Sequence, residues 1–464
     1  MGALDEAYRS SPPPLLSIDH GPRIVSTATD YLIQPGGSLH GRLRVPGDKS
    51  ISHRAVILGS LADGVTRVRG LLEGADVLAT ITAFRAMGVE FSGSGEGHLR
   101  IDGVGLQGLQ APSAPLDMGN SGTAMRLLAG VLAAQHFDSE LTGDASLHQR
   151  PMRRVAEPLQ AMGAAVTMGA EGRPPLRIAG GRVLHGIDYA MPVASAQVKS
   201  ALLFAGMYAD GTTSVTEPAP TRDHTERMLR GFGYPVSSTD GTASIRGGGR
   251  LQGCDIEVPG DLSSAAFFLV GAAIAPGSDV VVQGVGVNPT RSGILTLLRQ
   301  MGAAVEVTNN REAGGEPVAD IRVRSGPLRG IAISAEQVSL AIDEFPILFI
   351  AAACAEGETV LRGARELRVK ESDRIAVVAE GLKRLGVDAR ETPDGMSIRG
   401  SRISGGEVDS HGDHRVAMAF AMAGAGAEGA ITVRDCENVN TSFPGFAELA
   451  VDAGLSIQSM VRES

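Results

Sequence analysis

The sequence predicts an α/β protein of the α+β type, with two domains of three repeated units each. Two observations carry this prediction. The first is a helix-end pattern, apolar-x-x-apolar-Gly-apolar. It recurs six times, with its glycines at Gly88, Gly163, Gly233, Gly302, Gly386 and, more loosely, Gly454. Successive glycines lie 68 to 84 residues apart, a period that marks repeated supersecondary units. The second is a duplicated turn: residues 44–62 read RVPGDKSISHRAVILGSLA and residues 257–275 read EVPGDLSSAAFFLVGAAIA. Three units lie between the two Pro-Gly-Asp turns and three follow the second. The chain is therefore expected to start in one domain, cross to the other at Pro46–Gly47 and return at Pro259–Gly260. Domain one comprises 31–46 plus 260–464, domain two 47–259, and the hinge 46–48 and 259–261. Residues 1–30 are read as a disordered tail.

Within each unit the pattern has a local reason. A glycine after a helix fits the left-handed position that ends it, and a short apolar strand follows, such as Ala303-Ala-Val-Glu-Val. The helices before these glycines carry one apolar face, as in Val77, Ile81, Phe84 and Met87. Glycine-rich turns and further short strands, such as Leu99-Arg-Ile-Asp-Gly and Ser397-Ile-Arg-Gly, fill the remainder.

Composition bounds the function. The 464 residues are 43% apolar and 20% charged, as in ordinary globular proteins, with ample surface to bury. A net charge of −10 argues against a general nucleic-acid binder, while leaving room for a locally basic cleft. The three cysteines (Cys254, Cys354, Cys436) form neither a disulfide framework nor a metal-binding spacing, which fits the reducing cytoplasm. The first 30 residues hold no continuous apolar run of a secretory signal, and Glu6 breaks the myristoylation pattern. No stretch approaches the roughly 18 apolar residues of a membrane span.

The chemistry-bearing stretches share one form: a polar turn that enters an apolar helix. In Asp48-Lys49-Ser50-Ile51-Ser52-His53-Arg54, a cap residue precedes a helix whose free N–H groups favour anions, and Lys49 and Arg54 add cations. The second copy of the turn has neither cation, so the chemical role falls to the first. Asp117-Met-Gly-Asn120-Ser121-Gly122-Thr123 reads either as close backbone approach to an anion or as a capped core helix. Arg150-Pro151-Met152-Arg153-Arg154 puts Pro151 at a helix start. Three arginines there oppose the helix dipole, which favours a functional reading. Ser195-Ala196-Gln197 opens another apolar helix, and Thr221-Arg222-Asp223-His224-Thr225-Glu226 reads as a capping box with Arg222 in front.

Asp343 and Glu344 stand at the entrance to a wholly apolar helix, either as caps or as a desolvated carboxylate able to move protons. Arg368 to Arg374 packs five charges around one helix start, and His411-Gly412-Asp413-His414-Arg415 repeats the theme; neither has metal-ligand spacing. Gly424-Ala-Gly426-Ala-Glu-Gly429 matches a dinucleotide fingerprint in letters only, because it follows a helix and precedes a strand.

Taken together, PGDKSISHRA, GNSGTAMR, RPM, SAQVKSA, TRDHTE, IDE, RVKESDR, GDHR and TSFP resemble the 5-enolpyruvylshikimate-3-phosphate synthase family, in its class II branch. The resemblance runs from about Tyr31 to about Ile457. It implies an inside-out α/β barrel in each of two domains, built from three βαβαββ units and joined by a double crossover. It implies transfer of the enolpyruvyl group of phosphoenolpyruvate to the 5-hydroxyl of shikimate 3-phosphate, on the route to chorismate and the aromatic amino acids. No metal or organic cofactor is implied, and the enzyme would be a cytoplasmic monomer with no nucleic-acid or membrane partner.

Carried over residue by residue, Lys49, Ser50, Arg54, Ser195, Ala196, Gln197, Arg222, Asp343 and Lys370 are implied around shikimate 3-phosphate. Lys49, Gly122, Arg150, Gln197, Arg374 and Arg415 are implied around phosphoenolpyruvate. Asp343 is the implied proton acceptor at the 5-hydroxyl. Glu371 and Lys370 are implied in proton transfer, and Lys49 as donor to the methylene carbon.

Two positions depart from common family patterns. Thr441 stands where many members have Lys, and Gly122 where some class II members have an Ala that crowds inhibitors such as glyphosate. Three alternatives compete with this reading, one of which, an RNA-end-processing relative, would call for more basic surface than a net charge of −10 suggests. The sister transferase acting on UDP-N-acetylglucosamine usually has Lys-Asn where this chain has Lys49-Ser50, and a reactive loop Cys near the position of Arg150. A non-catalytic anion-binding protein on the same fold would be expected to lose carboxylates or arginines that are all present here.

Overall fold

Six helices end at the six repeated glycines, and each of these glycines has a positive φ, between 79° and 109°. In every case the N–H after the glycine reaches back five residues to a helix carbonyl, as in Val89 to Phe84 at 3.1 Å and Val387 to Leu382 at 2.9 Å. This is the hydrogen bond that closes a helix through a left-handed residue, and glycine adopts that conformation without a Cβ clash.

The computed structural model describes residues 28–462. Its helices are α1 (Lys49–Leu61), α2 (Ala75–Ala86), α3 (Gly122–Leu132), α4 (Arg153–Ala161), α5 (Ala196–Gly206), α6 (His224–Gly231), α7 (Leu262–Ile274), α8 (Gly293–Gln300), the short α9 (Ala335–Val338), α10 (Phe345–Ala353), α11 (Arg374–Arg384), α12 (His414–Ala423) and α13 (Phe446–Ala453). They alternate in kind. Helices α1, α3, α5, α7, α10 and α12 are buried nearly all round. A helix that is apolar on every side belongs inside. The glycine-terminated helices between them lie outside: α4 buries Val155, Ala156, Pro158 and Leu159 and exposes Arg153, Glu157 and Gln160.

The strands form six four-stranded sheets of one topology. In the unit made of Leu116–Asp117, Ser139–Thr142, Ala165–Met168 and Leu176–Ala179, the first strand runs parallel to the second. The fourth pairs antiparallel with both the second and the third. The unit is thus strand, inner helix, strand, outer helix, hairpin, the βαβαββ order.

The duplicated turns explain two apparent exceptions. His40–Leu43 runs parallel to Asp279–Gly286, and Asp255–Glu257 runs parallel to Asp63–Arg69. Each crossing segment therefore leaves its strand in the half that the chain is departing and starts its helix in the other. The two crossings lie side by side and antiparallel, with Asp48 N–H bonded to the Pro259 carbonyl (2.8 Å) and Asp261 N–H to the Pro46 carbonyl (2.9 Å). A Cβ on Gly47 would fall 1.8 Å from the Gly70 carbonyl oxygen, so the crossing needs glycine there.

The apolar side chains gather into two clusters. One draws on Ile51 to Val258, the other on Tyr31 to Val45 and Leu262 to Ile457.

Three local expectations need correction. Strand Ala28–Ile33 starts inside the segment read as a tail, because Ala28 pairs with Arg462 and the buried Asp30 accepts from the Asp435 N–H; the tail proper, 1–27, lies outside the described residues. Helix α4 begins at Arg153, not at Pro151. The capping box at Thr221–Glu226 does not form: Thr221 bonds Glu217, and Glu226 is taken by Lys199 at 2.8 Å. Among the described residues, no helix is long and apolar enough to cross a membrane.

Inner-helix packing sets a test. Gly130 of α3 faces α5 so closely that a Cβ would lie 2.1 Å from the Ala201 carbonyl oxygen. Gly130→Ala is expected to lower unfolding free energy by about 1–3 kcal/mol through overpacking. Denaturant melts with the loss under about 0.5 kcal/mol would contradict the close approach.

Candidate active site

All six inner helices begin at one cleft of about 300 Å³ between the two halves of the chain. Its wall includes Lys49 and Ser50 from the first turn of α1, Gly122 and Thr123 from α3, and Ala196 and Gln197 from α5. The other half supplies Asp261, which caps α7, Asp343, just before α10, and Arg415, at the start of α12. The caps are built as the sequence suggests. Asp48 accepts from Ile51 N–H, Ser121 from Ala124, Ser195 from Val198, and Asp413 from Arg415. Caps satisfy part of each helix end, and the remaining N–H groups and dipoles favour anions in the cleft.

Cations reinforce that field. Arg126 is buried and donates to Gln197 Oε1 at 2.7 Å. Burial first, then Arg154 and Arg150 beside it, push its pKa down to about 9. Arg150 donates to Asn120 (3.0 Å) and meets Glu371 across the cleft at 3.3 Å. Arg222 bonds Asp343, also across the cleft, and Arg154 meets Glu366 at 2.9 Å near the rim. Lys49 Nζ rests on Asp76 at 2.9 Å.

Two carboxylates stand among these cations. Asp343 has Lys370 Nζ at 3.4 Å, Arg374 at 3.6 Å and Arg222 in direct contact, and its backbone carbonyl accepts from Arg415 at 3.3 Å. Burial alone would raise its pKa, but Lys370, Arg222, Arg415 and Arg374 hold it well below the usual carboxylate range. Glu371 shows the same balance: burial raises, while Arg374 at 2.6 Å and Arg150 lower further. Two buried histidines lie nearby. Burial is the first cause pushing His53 and His414 to about 3, with the neighbouring cations adding to it.

Of the fourteen residues singled out from the sequence, twelve line the cleft: Lys49, Ser50, Gly122, Arg150, Ser195, Ala196, Gln197, Arg222, Asp343, Lys370, Glu371 and Arg415. Two stand behind it. Arg54 is buried and committed to Thr225 (2.6 Å), Ser200 (2.7 Å) and the Ser50 carbonyl (2.8 Å). Arg374 is fully buried and bound to Asp413 and Glu371. Thr441 turns its hydroxyl back onto its own helical turn, donating to the Asn438 carbonyl at 2.7 Å. Glu344 caps nothing with its side chain; it accepts from Ser263 Oγ instead.

Sequence reasoning did not single out Asp76, Glu366, Arg291 or the roles of Arg126 and Arg154. Asp76 lies 27 residues from its partner Lys49, and only the fold brings the two together.

The fold is also found in a distantly related structure. The enolpyruvyl transferase NikO from Streptomyces tendae superposes with a TM-score of 0.78 over 94% of this chain and 100% of that one, at 18% identity, which speaks for the fold alone. EPSP synthase from Acinetobacter baumannii superposes with a TM-score of 0.84 at 56% identity, covering 94% of this chain and 100% of that structure. The family model for EPSP synthase (3-phosphoshikimate 1-carboxyvinyltransferase) matches residues 33–449. Relatives of that name include those of Alkalilimnicola ehrlichii (65% identical; 92% of this chain, 96% of the relative) and Acidithiobacillus ferrooxidans (66%; 93% and 99%). The chain belongs to the EPSP synthase family.

The Arg374–Asp413 pair under the cleft is fully buried on both sides and bonded at 2.8 Å. Burial alone would raise the Asp413 pKa, but Arg374 leads the causes that lower it overall. Its contribution to stability is therefore present above the unfolded carboxylate pKa, about 4, and is lost as pH falls through the lower folded value. Asp413→Asn is expected to cost about 3–5 kcal/mol at neutral pH. The gap to the unmodified protein should narrow as unfolding is repeated below about pH 4. A gap that stays constant into acid would refute the assignment.

Proposed function

We propose that the cleft binds shikimate 3-phosphate and phosphoenolpyruvate together and transfers the enolpyruvyl group to the 5-hydroxyl, releasing phosphate. This is the family's reaction. The observation that carries the site assignment is the convergence of six helix N-termini and a cluster of cations on one cleft that also holds two buried carboxylates. Both substrates are multiply anionic, and such a field matches them.

The proposed roles follow from position. Lys49, Ser50, Ser195, Ala196, Gln197, Arg222 and Lys370 hold shikimate 3-phosphate, with Arg54 behind them fixing Ser50 through its carbonyl. Gly122, Arg150 and Arg415, with Lys49 and Gln197, hold phosphoenolpyruvate, and Arg374 supports them through Glu371. Asp343 takes the 5-hydroxyl proton as the hydroxyl oxygen bonds to C2 of phosphoenolpyruvate. Lys49 delivers a proton to C3, giving a tetrahedral intermediate. A C3 proton then passes to Glu371, with Lys370 beside it, as the C2=C3 double bond re-forms and the C2–O bond to phosphate breaks, releasing phosphate.

Asp343 is a weak base while Arg222 lies on it. A substrate phosphate drawing Arg222 away would raise its pKa toward a useful range. The pairs Arg222–Asp343, Arg150–Glu371 and Arg154–Glu366 each join residues 47–259 to residues 260–462. We read these halves as domains that close about the paired crossovers and exclude water. Three unpaired cysteines are consistent with the cytoplasm.

Phosphate release should require both substrates. Asp343→Ala should lower kcat by about a hundred- to ten-thousandfold, the range of a lost general base. Turnover with UDP-N-acetylglucosamine in place of shikimate 3-phosphate would overturn the substrate assignment.

A second test concerns Gly122, where a Cβ would sit 2.9 Å from Arg126 Nη1 and 3.0 Å from Arg150 Nη1. Gly122→Ala should raise KM for phosphoenolpyruvate about 3- to 30-fold by shifting those guanidinium groups, and leave KM for shikimate 3-phosphate within about twofold. Equal changes in both constants would count against the assignment of that corner of the cleft.

A further inference from the structure

Arg291 is a buried cation to which the reaction above gives no role. It lies in the Asn288–Ser292 turn ahead of α8, with 3% of its surface exposed, at the cleft wall beside Asp261. Its Nη1 donates to Asp48, the cap of α1, and its Nη2 to Asp261, the cap of α7. Nη2 also donates to Ser263 Oγ at 2.7 Å. Asp48 and Asp261 are the residues whose N–H groups knit the two crossovers together. One guanidinium therefore grips both chain segments that pass between the halves. Two buried carboxylates side by side would repel each other and any anionic substrate; a planar fork of donors neutralises both at once, which a lysine ammonium does less well.

The contacts continue into the site. Ser263 Oγ, held by Arg291, donates to Glu344, which is 1% exposed and directly follows Asp343. On the other side, the Lys49 N–H lies 3.4 Å from Asp261 Oδ2. The turn that carries Arg291 is itself fixed: Arg291 N–H bonds the Asn288 carbonyl at 2.9 Å, and Asn288 Nδ2 bonds Asp223 (2.7 Å) and Glu316 (2.9 Å). An unbroken polar path thus runs from the first turn of α1, with Lys49 and Ser50, to the turn that bears Asp343.

We propose that Arg291 is a positioning residue for enolpyruvyl transfer. It sets Lys49 and Ser50 on one half against Asp343 on the other by clamping both crossovers and, through Ser263 and Glu344, the 342–344 turn. The inference rests on the reaction proposed above. A displacement of about 1 Å between such groups costs about a hundredfold in rate.

The test is steady-state kinetics on the full chain for Arg291→Lys, Arg291→Ala and Ser263→Ala, with thermal melts as a check on folding. Wild-type turnover is read first, since its absence would overturn the reaction and not the clamp. Arg291→Lys should lower kcat about 10- to 100-fold while either KM moves by less than about threefold. Guanidinium added to Arg291→Ala, below denaturing concentration, should recover about tenfold in kcat. Ser263→Ala keeps the charges and breaks the path to Glu344; it should lower kcat about 3- to 10-fold with its melting temperature nearly unchanged. Should the Arg291 variants fail to fold, Ser263→Ala decides. Folded variants with kcat within about twofold of wild type, or losses confined to KM, would overturn the positioning role.

Discussion

The concentration of positive field in one cleft is the constraint on which the rest of the structure depends. Six helices point their N-termini at it, and Lys49, Arg126, Arg150, Arg222, Lys370 and Arg415 line it, in a chain with net charge −10. Such a site is unfavourable by itself, because each buried cation loses hydration. The structure offsets this with carboxylates set at short range. Asp76 takes Lys49, Asp343 takes Arg222 and Lys370, Glu371 takes Arg150 and Arg374, and Asp413 takes Arg374 from below. Stability itself comes from elsewhere, from inner helices such as α7 and α10 that are apolar on every face.

The same carboxylates hold the two sides of the cleft together. The partners in Arg222–Asp343 and Arg150–Glu371 belong to opposite halves, so charge neutralisation and contact between the halves are one event. On the function proposed above, anionic substrates would compete for those arginines, exchanging internal ion pairs for substrate ion pairs and freeing the carboxylates for proton transfer. Arg154–Glu366, at the rim, is more exposed, with 26% and 30% of the two side chains open to solvent, and is correspondingly weaker.

Local rules made much of this legible. A helix that must stop at a left-handed residue leaves a glycine at a fixed offset from its apolar face, and six such offsets revealed six units. Cap residues before apolar runs marked the helices that face the cleft. What stayed hidden depends on tertiary placement. Asp76 reaches Lys49, and Arg291 reaches Asp48 across 243 positions, only through the crossover topology. The Thr221–Glu226 capping box failed because its glutamate found a stronger partner in the buried Lys199, a charge pair that outweighs a cap. The strands His40–Leu43 and Asp255–Glu257 each join a sheet whose other strands lie far along the chain, and nothing in so short a run reports which sheet it joins.

The two Pro-Gly-Asp turns show how a duplicated element comes to serve one site asymmetrically. Their aspartates are used alike, each capping a helix and each bound by Arg291. The residues that follow are not. After Asp48 come Lys49 and Ser50, which face the cleft; after Asp261 come Leu262, buried in the core, and Ser263, which turns to Glu344. The first copy thus faces the cleft directly, while the second contacts the turn that carries Asp343. Were both copies cationic, the floor of the cleft would hold two ammonium groups and no serine bridging Arg291 to Glu344 beside Asp343. One shared arginine between two aspartates, with lysine on one side and serine on the other, lets a pair of symmetric crossovers present different chemistry to the two sides of one cleft.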